Sequence, residues 1–239
     1  MILTFIGSNS INSYSHSIVE NILTAVRSTF EHLEVASFRT SDVMIQQCLG
    51  CNNCFINGFC PLDEKDDMIR IRKKLLQADI ILFVSPVYAN NVTGAVKTFI
   101  DRISYWLHLL PLLGKKGIIL TTSNTGGNDY VNNYIEQILV ATGIKVIAKF
   151  SIIRALNNGE QILQDCADTL VNLIRDDQGS AINEQLVQYF FATKDYINRL
   201  KEAGSEIAEI KYWIKTGRIY CDSIYDLSNF IEGLKANTN

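Results

Sequence analysis

The chain has 239 residues, 47% of them hydrophobic, and a formal net charge of −3. That length suits one large domain, or a domain of ~150–180 residues with an extension, and a charge so near neutral leaves no electrostatic footprint for nucleic acid or an anionic membrane. No apolar run reaches the ~18–20 residues that span a bilayer, and the N-terminus enters a strand pattern with no basic segment before it, so no signal peptide and a cytoplasmic location are expected.

Ile2 to Ile6 is an apolar, β-branched and aromatic run that reads as a buried strand. Gly7 ends it, and Ser8, Asn9, Ser10, Asn12, Ser13 and Ser15 follow. The spacing of Ile18, Ile22, Leu23 and Val26 then predicts a helix over 13–30. Strand, hydroxyl-rich loop and helix N-terminus together suit a phosphate, because first-turn N–H groups are unpaired and the helix dipole favours an anion. The loop contains no Lys or Arg, so such a phosphate would be held by dipoles and hydrogen bonds. Neither G-x-G-x-x-G nor G-x4-G-K-[ST] follows this strand. The same loop also reads as an N-cap with no ligand.

Residues 33–38 are a second strand. The weakly periodic stretch 41–63 carries four of the six cysteines. A helix over 66–77 precedes the continuous apolar strand 78–85, which Pro86 ends. A helix over 92–107, a strand over 117–123, the polar run Asn124-Thr125-Gly126-Gly127 and a helix over 130–141 follow, with Gly143 as a left-handed cap. A strand over 144–153 and a helix over 161–175 complete the pattern. Five strands alternating with helices predict an α/β fold with a parallel sheet, order 2-1-3-4-5, and a ligand at the carboxyl ends of its strands. The loops after Ile6, Ser85 and Ser123 all leave strand ends and would converge there. Residues 178–239 show three helical patterns and no strand. They read as a helical extension to a domain at 1–177, either packed on that domain, at a subunit interface, or over the ligand as a lid.

In the second loop Tyr88 offers a planar face, and the backbone amides of Ala89 to Asn91 could bond the edge of a heteroaromatic ring. In the third, Gly126 and Gly127 let backbone approach a flat ligand. Asp101 and Arg102 are adjacent, so on a helix they do not face each other. Each is expected to pair elsewhere in a structural role.

Three strings now carry a resemblance. G-S-x-S-x-x-S-x-S after the first strand, S-P-V-Y-x5-G-x2-K-x-F-I-D-R from Ser85 to Arg102, and T-S-N-T-G-G resemble the NAD(P)H-dependent FMN reductase group of the flavodoxin-like superfamily, over about residues 1–175. The resemblance implies FMN, with its phosphate at Ser8, Ser10, Ser13, Tyr14 and Ser15. It places the isoalloxazine by Pro86, Val87, Tyr88, Ala89, Asn90 and Asn91 and by Ser123, Asn124, Thr125, Gly126 and Gly127. It also implies NAD(P)H as donor, a quinone, free flavin, other small acceptor or redox protein as partner, and a homodimer or tetramer. The group often has Arg where this chain has Ser10, which leaves the phosphate without that charge. The flavin carries the chemistry, so no catalytic side chain is expected.

Cys48, Cys51, Cys54 and Cys60 form C-x2-C-x2-C-x5-C. The run resembles the motif of the iron–sulfur flavoproteins of the same superfamily, implying a [4Fe–4S] cluster near FMN. A zinc site of four thiolates, and thiols packed in the loop or paired in disulfides, are the other readings. Cys166 and Cys221 are lone thiols on helical patterns. His16, in the first turn of the first helix, is a solvated or capping histidine or a further phosphate donor. Two other functional classes stand beside the reductase: an electron carrier using FMN and a cluster, and a binding or sensor protein without FMN.

Overall fold

The computed structural model describes residues 1–10, 12–175 and 182–236, so the expected boundary at 177/178 lies outside the described residues. The strands are β1 (Ile2–Ile6), β2 (Val35–Arg39), β3 (Ile80–Pro86), β4 (Lys116–Ser123) and β5 (Lys145–Ile153). They form one five-stranded sheet of order β2-β1-β3-β4-β5, parallel at every pairing. Every residue of β1, and β3 from Ile80 to Ser85, is buried, as expected for inner strands covered on both faces.

One layer against the sheet is α1 (Tyr14–Arg27) with α7 (Gly159–Arg175). The other includes α3 (Met68–Gln77), α4 (Gly94–Arg102) and α6 (Asn128–Ala141). A short helix, α2 (Asn53–Asn57), lies within the cysteine stretch. Gly143, at φ +100°, follows α6 as expected.

The helix expected over 92–107 is two helices, α4 and the short α5 (Trp106–Leu109). Ile103, Tyr105, Trp106, Leu109 and Leu110 are all buried. Between the two helices the chain tightens into i→i+3 turns, with Ile103 at φ −108°, the Trp106 amide donating to the Ile103 carbonyl at 2.8 Å and the Leu107 amide to the Ser104 carbonyl at 3.1 Å, so the i→i+4 ladder lapses there.

The extension contains α8 (Glu184–Glu202), α9 (Ala208–Lys215) and α10 (Ile224–Ala236). They build a third core around Leu186, Phe190, Ile197, Trp213, Leu227 and Ile231, which closes on Leu110, Leu113 and Val140 of the sheet domain. The indole of the buried Trp213 donates to the His108 carbonyl at 2.7 Å. The extension is thus packed on the main domain. Among the described residues, no helix is long and apolar enough to cross a membrane.

Candidate functional site

The loops after β1, β3 and β4 meet at one edge of the sheet, as expected of parallel strands that leave it on the same side. Gly7 is the hinge of the first two. Its amide donates to the Val84 carbonyl at 2.7 Å, and the buried Thr93 hydroxyl donates to the Gly7 carbonyl at 2.9 Å. A Cβ on Gly7 would lie 2.0 Å from Val96 Cγ2, so only glycine lets α4 come this close.

In the first loop Ser13 caps α1, its hydroxyl accepting from the His16 amide at 3.4 Å. Ser8, Ser13 and Ser15 are buried and Ser10 is exposed. The Ser15 hydroxyl is shared with Thr122 Oγ1 at 2.7 Å, which ties the first loop to the end of β4. In the second loop, Tyr88 and Asn91 exchange two backbone hydrogen bonds of 2.9 Å around Ala89 and Asn90, both at positive φ (49° and 57°). This tight turn leaves Tyr88 59% exposed, its ring open to a flat ligand. In the third loop Gly127 has φ +84°, and a Cβ there would meet Asn90 Oδ1 at 2.5 Å and Val87 Cγ1 at 3.0 Å. The second and third loops therefore touch at Gly127. Beneath them Ser123 donates to Asn128 at 2.7 Å, and Asn128 to Thr121 at 3.0 Å, fixing the end of β4.

A cleft of about 280 Å³ opens between these loops. Of the residues singled out from sequence, Ser8, Ser10, Ser13, Tyr14, Ser15, Pro86, Val87, Tyr88, Ser123 and Asn124 line it. Ala89, Asn90, Asn91, Thr125, Gly126 and Gly127 are not among its lining; Ala89, Asn90 and Gly127 shape the turns behind it. Asn12 and Thr122 also line it, and so does Arg154, which sequence reasoning missed.

Arg154 follows β5 in a single 3-10 turn, Arg154–Leu156. Ala155 of that turn donates to the Asn124 carbonyl at 2.9 Å, clipping it to the third loop. The guanidinium stands 5.2 Å from the centroid of the Tyr14 ring, at the N-terminus of α1. The cation absent from the first loop is supplied from the far end of the sheet. Its signal was topological: β5 must end at the same edge as β1. His16 lies in an adjoining depression with Arg154 and faces Glu20 at 3.8 Å. Buried hydroxyls, a helix N-terminus, one cation and an exposed aromatic face fit a phosphate joined to a flat ring system, as in FMN.

The cysteine loop is closed at its base. Asp67 N donates to Met44 O at 3.0 Å, Met44 N donates to the Asp67 carboxylate at 2.8 Å, and Gln46 N donates to Asp66 at 3.0 Å. Arg102 locks that base from α4. Its side chain is fully buried, pairs with Asp66, and donates to Asp63 at 3.1 Å and to Gln46 O at 3.0 Å. Arg72 pairs with the other side of Asp63. Burial works against the Asp66 carboxylate, but Arg102 and the Gln46 and Met68 amides outweigh it and hold its pKa below the ordinary value. Asp101 pairs with Lys97, so Asp101 and Arg102 do pair apart, as expected.

All six cysteines are free thiols. Cys48 and Cys51 are exposed, Cys54 and Cys60 half-buried, Cys166 and Cys221 buried. Burial, with Cys60 nearby, pushes the Cys54 thiol up to about 11. Among the described residues no three His, Cys, Asp or Glu are gathered closely enough to hold a metal ion. The donor chemistry suits iron–sulfur or zinc, but the thiols are not assembled as a site. The loop leans on the extension: the Phe55 ring meets His108 edge-on at 5.5 Å, and His108 Nδ1 lies 2.9 Å from the buried Glu209 of α9.

Against known proteins, the model of the NADPH-dependent FMN reductase family matches residues 1–157. An iron-sulfur flavoprotein of Archaeoglobus fulgidus is 36% identical over 112 residues, 46% of this chain and 50% of that protein. One of Clostridioides difficile is 28% identical over 158 residues, 66% of this chain and 69% of the relative. The chain thus matches half the length of the first of these relatives. Among solved structures, the apo form of an NADH:FMN oxidoreductase superposes with a TM-score of 0.55 at 18% identity, over 72% of this chain and 88% of that one, which shows the shared fold.

Proposed function

Because the chain belongs to the NADPH-dependent FMN reductase family, we propose that it is an FMN-dependent oxidoreductase taking electrons from NAD(P)H and passing them to a small acceptor such as a quinone or free flavin. The observation that carries this reading is the cleft itself, where three strand-end loops and Arg154 converge. The α1 N-terminus, the Ser8, Ser10 and Ser13 hydroxyls and Arg154 hold the phosphate. Tyr88, Ser123 and Asn124, which line the cleft, would flank the ring system, and the open side at Tyr88 would admit donor and acceptor in turn. Bound FMN supplies hydride acceptance and onward electron transfer. This chain's residues bind and orient it, and none is needed as acid or base.

The exposed side chains Met44, Leu49, Ile56 and Phe59, all on or beside the cysteine loop, together with Tyr88, support assembly as a homodimer or tetramer through this edge. The reading places the protein in the cytoplasm. A second reading, an iron–sulfur flavoprotein electron carrier, is favoured by four thiols on one loop whose base is locked by Arg102.

The test is an absorption spectrum of protein purified without oxygen, with an iron assay on the same sample. Flavin bands and steady-state NAD(P)H oxidation without iron support the reductase. About four iron atoms per chain with a broad visible shoulder support the second reading. A colourless protein that takes up no added FMN sinks both.

A further inference from the structure

At the other end of the sheet, where β1, β3 and β4 begin, a cavity of about 630 Å³ lies between the sheet domain and the extension. Leu33, Leu76, Leu173 and Tyr212 contribute its apolar walls, and Lys115 and Arg218 also line it. Arg218 is 2% exposed. Its guanidinium lies 4.9 Å from the Tyr212 ring centroid and 5.3 Å from that of Phe230, and one amino group donates to the Leu110 carbonyl at 3.2 Å. Its Nε has no hydrogen-bond partner, and among the described residues no carboxylate pairs with it. Lys115 is held by two carbonyls, Leu76 O at 2.7 Å and Ala78 O at 2.5 Å. The cavity's lining acid, Asp79, is bound to the Met1 amino group at 2.6 Å.

A guanidinium taken out of water without a counter-ion is costly, and two aromatic faces offset only part of that. Burial accordingly pushes the Arg218 pKa down. A bound carboxylate would supply the missing acceptor and the missing charge at once. The apolar walls disfavour a small hydrophilic anion such as phosphate and favour a ligand with a hydrocarbon body.

We propose that this cavity is a binding site for an apolar monocarboxylate, with the carboxylate on Arg218 and the hydrocarbon body along Leu33, Leu76 and Leu173. The site is separate from the strand-end cleft and shares no lining residue with it.

The experiment is calorimetric titration of the full-length, FMN-loaded protein with octanoate below its micelle concentration, and with octan-1-ol as the uncharged match. Octanoate is expected to saturate at one per chain and to bind about tenfold or more tighter than octan-1-ol. Arg218→Met, which keeps the apolar stem, is expected to remove that preference. Leu76→Trp, at the exposed rim, puts an indole in the path of the hydrocarbon body and is expected to weaken octanoate binding about tenfold with flavin content unchanged. No saturable octanoate binding, equal affinity for the alcohol, or wild-type binding by Leu76→Trp would each overturn the proposal. Should Arg218→Met fail to fold, the alcohol comparison and Leu76→Trp still decide it.

Discussion

Arg154 puts a cation at the end of the cleft proposed here for the phosphate. With a first loop free of Lys and Arg, sequence reasoning leaves a phosphate to dipoles and hydroxyls, and Ser10 looks like a weakness. The structure places a guanidinium at the α1 N-terminus, beside Tyr14. Arg154→Ala is expected to raise the Kd for FMN about fivefold, roughly 1 kcal/mol, a modest figure because the side chain is exposed and screened. Riboflavin, which lacks the phosphate, should bind both proteins alike, and the FMN difference should shrink in high salt. Fluorescence titration of the two flavins reads both outcomes. Gly127 is the other residue with a distinct expectation. At φ +84°, with Asn90 and Val87 against it, Gly127→Ala should cost roughly 1–2 kcal/mol through the left-handed backbone alone. It should also weaken FMN binding by parting the second and third loops. Thermal melts with and without FMN separate the two effects.

The cysteine loop behaves as one element because its ends are bonded together and its base is locked by Arg102. Arg102→Met should therefore cost about 3–5 kcal/mol, the usual penalty when one partner of a buried pair is removed and the carboxylate is left behind. Urea denaturation measures this, and limited proteolysis should show cleavage shifting into residues 44–67. Asp66 and Asp67 both have pKa values held below the ordinary carboxylate range, Asp67 chiefly by the Met44 amide. Groups depressed in the folded state add stability that is complete above their unfolded pKa, about 4, and is lost as pH falls through the folded values. The urea midpoint should thus fall between pH 5 and pH 3 in the wild type, and less steeply in Asp67→Asn. The D-R pair of the Ser85–Arg102 string shows the reach of sequence reasoning. Its separate, structural pairing follows from helix geometry, but Asp63 and Asp66 as the partners depend on where a distant loop folds back.

At the scale of the whole molecule, the extension and the sheet domain share one core through Leu110, Leu113 and Val140. They are expected to unfold together. In a Trp106→Phe variant, which leaves Trp213 as the one tryptophan, its fluorescence and far-UV circular dichroism should give coincident urea transitions. A separate early Trp213 transition would show the extension to be an independent unit. The α/β class, the 2-1-3-4-5 sheet and the convergence of three polar loops were all legible in the chain. Buried parallel strands must be continuous apolar runs, and helix faces must repeat every 3.6 residues, so local spacing encodes them. The serines of the first loop and Tyr88, which line the cleft, sit just beyond strands and follow from the same local pattern, whereas Gly126 and Gly127 are not among its lining. Only the tertiary structure decided the rest. Arg154 came to the first loop, Arg102 found Asp63 and Asp66, and Arg218 came to the Leu110 carbonyl. Each of these is a contact between residues far apart in the chain, set by how layers pack, and no period or motif in the sequence records which distant side chain a packed surface will bring near.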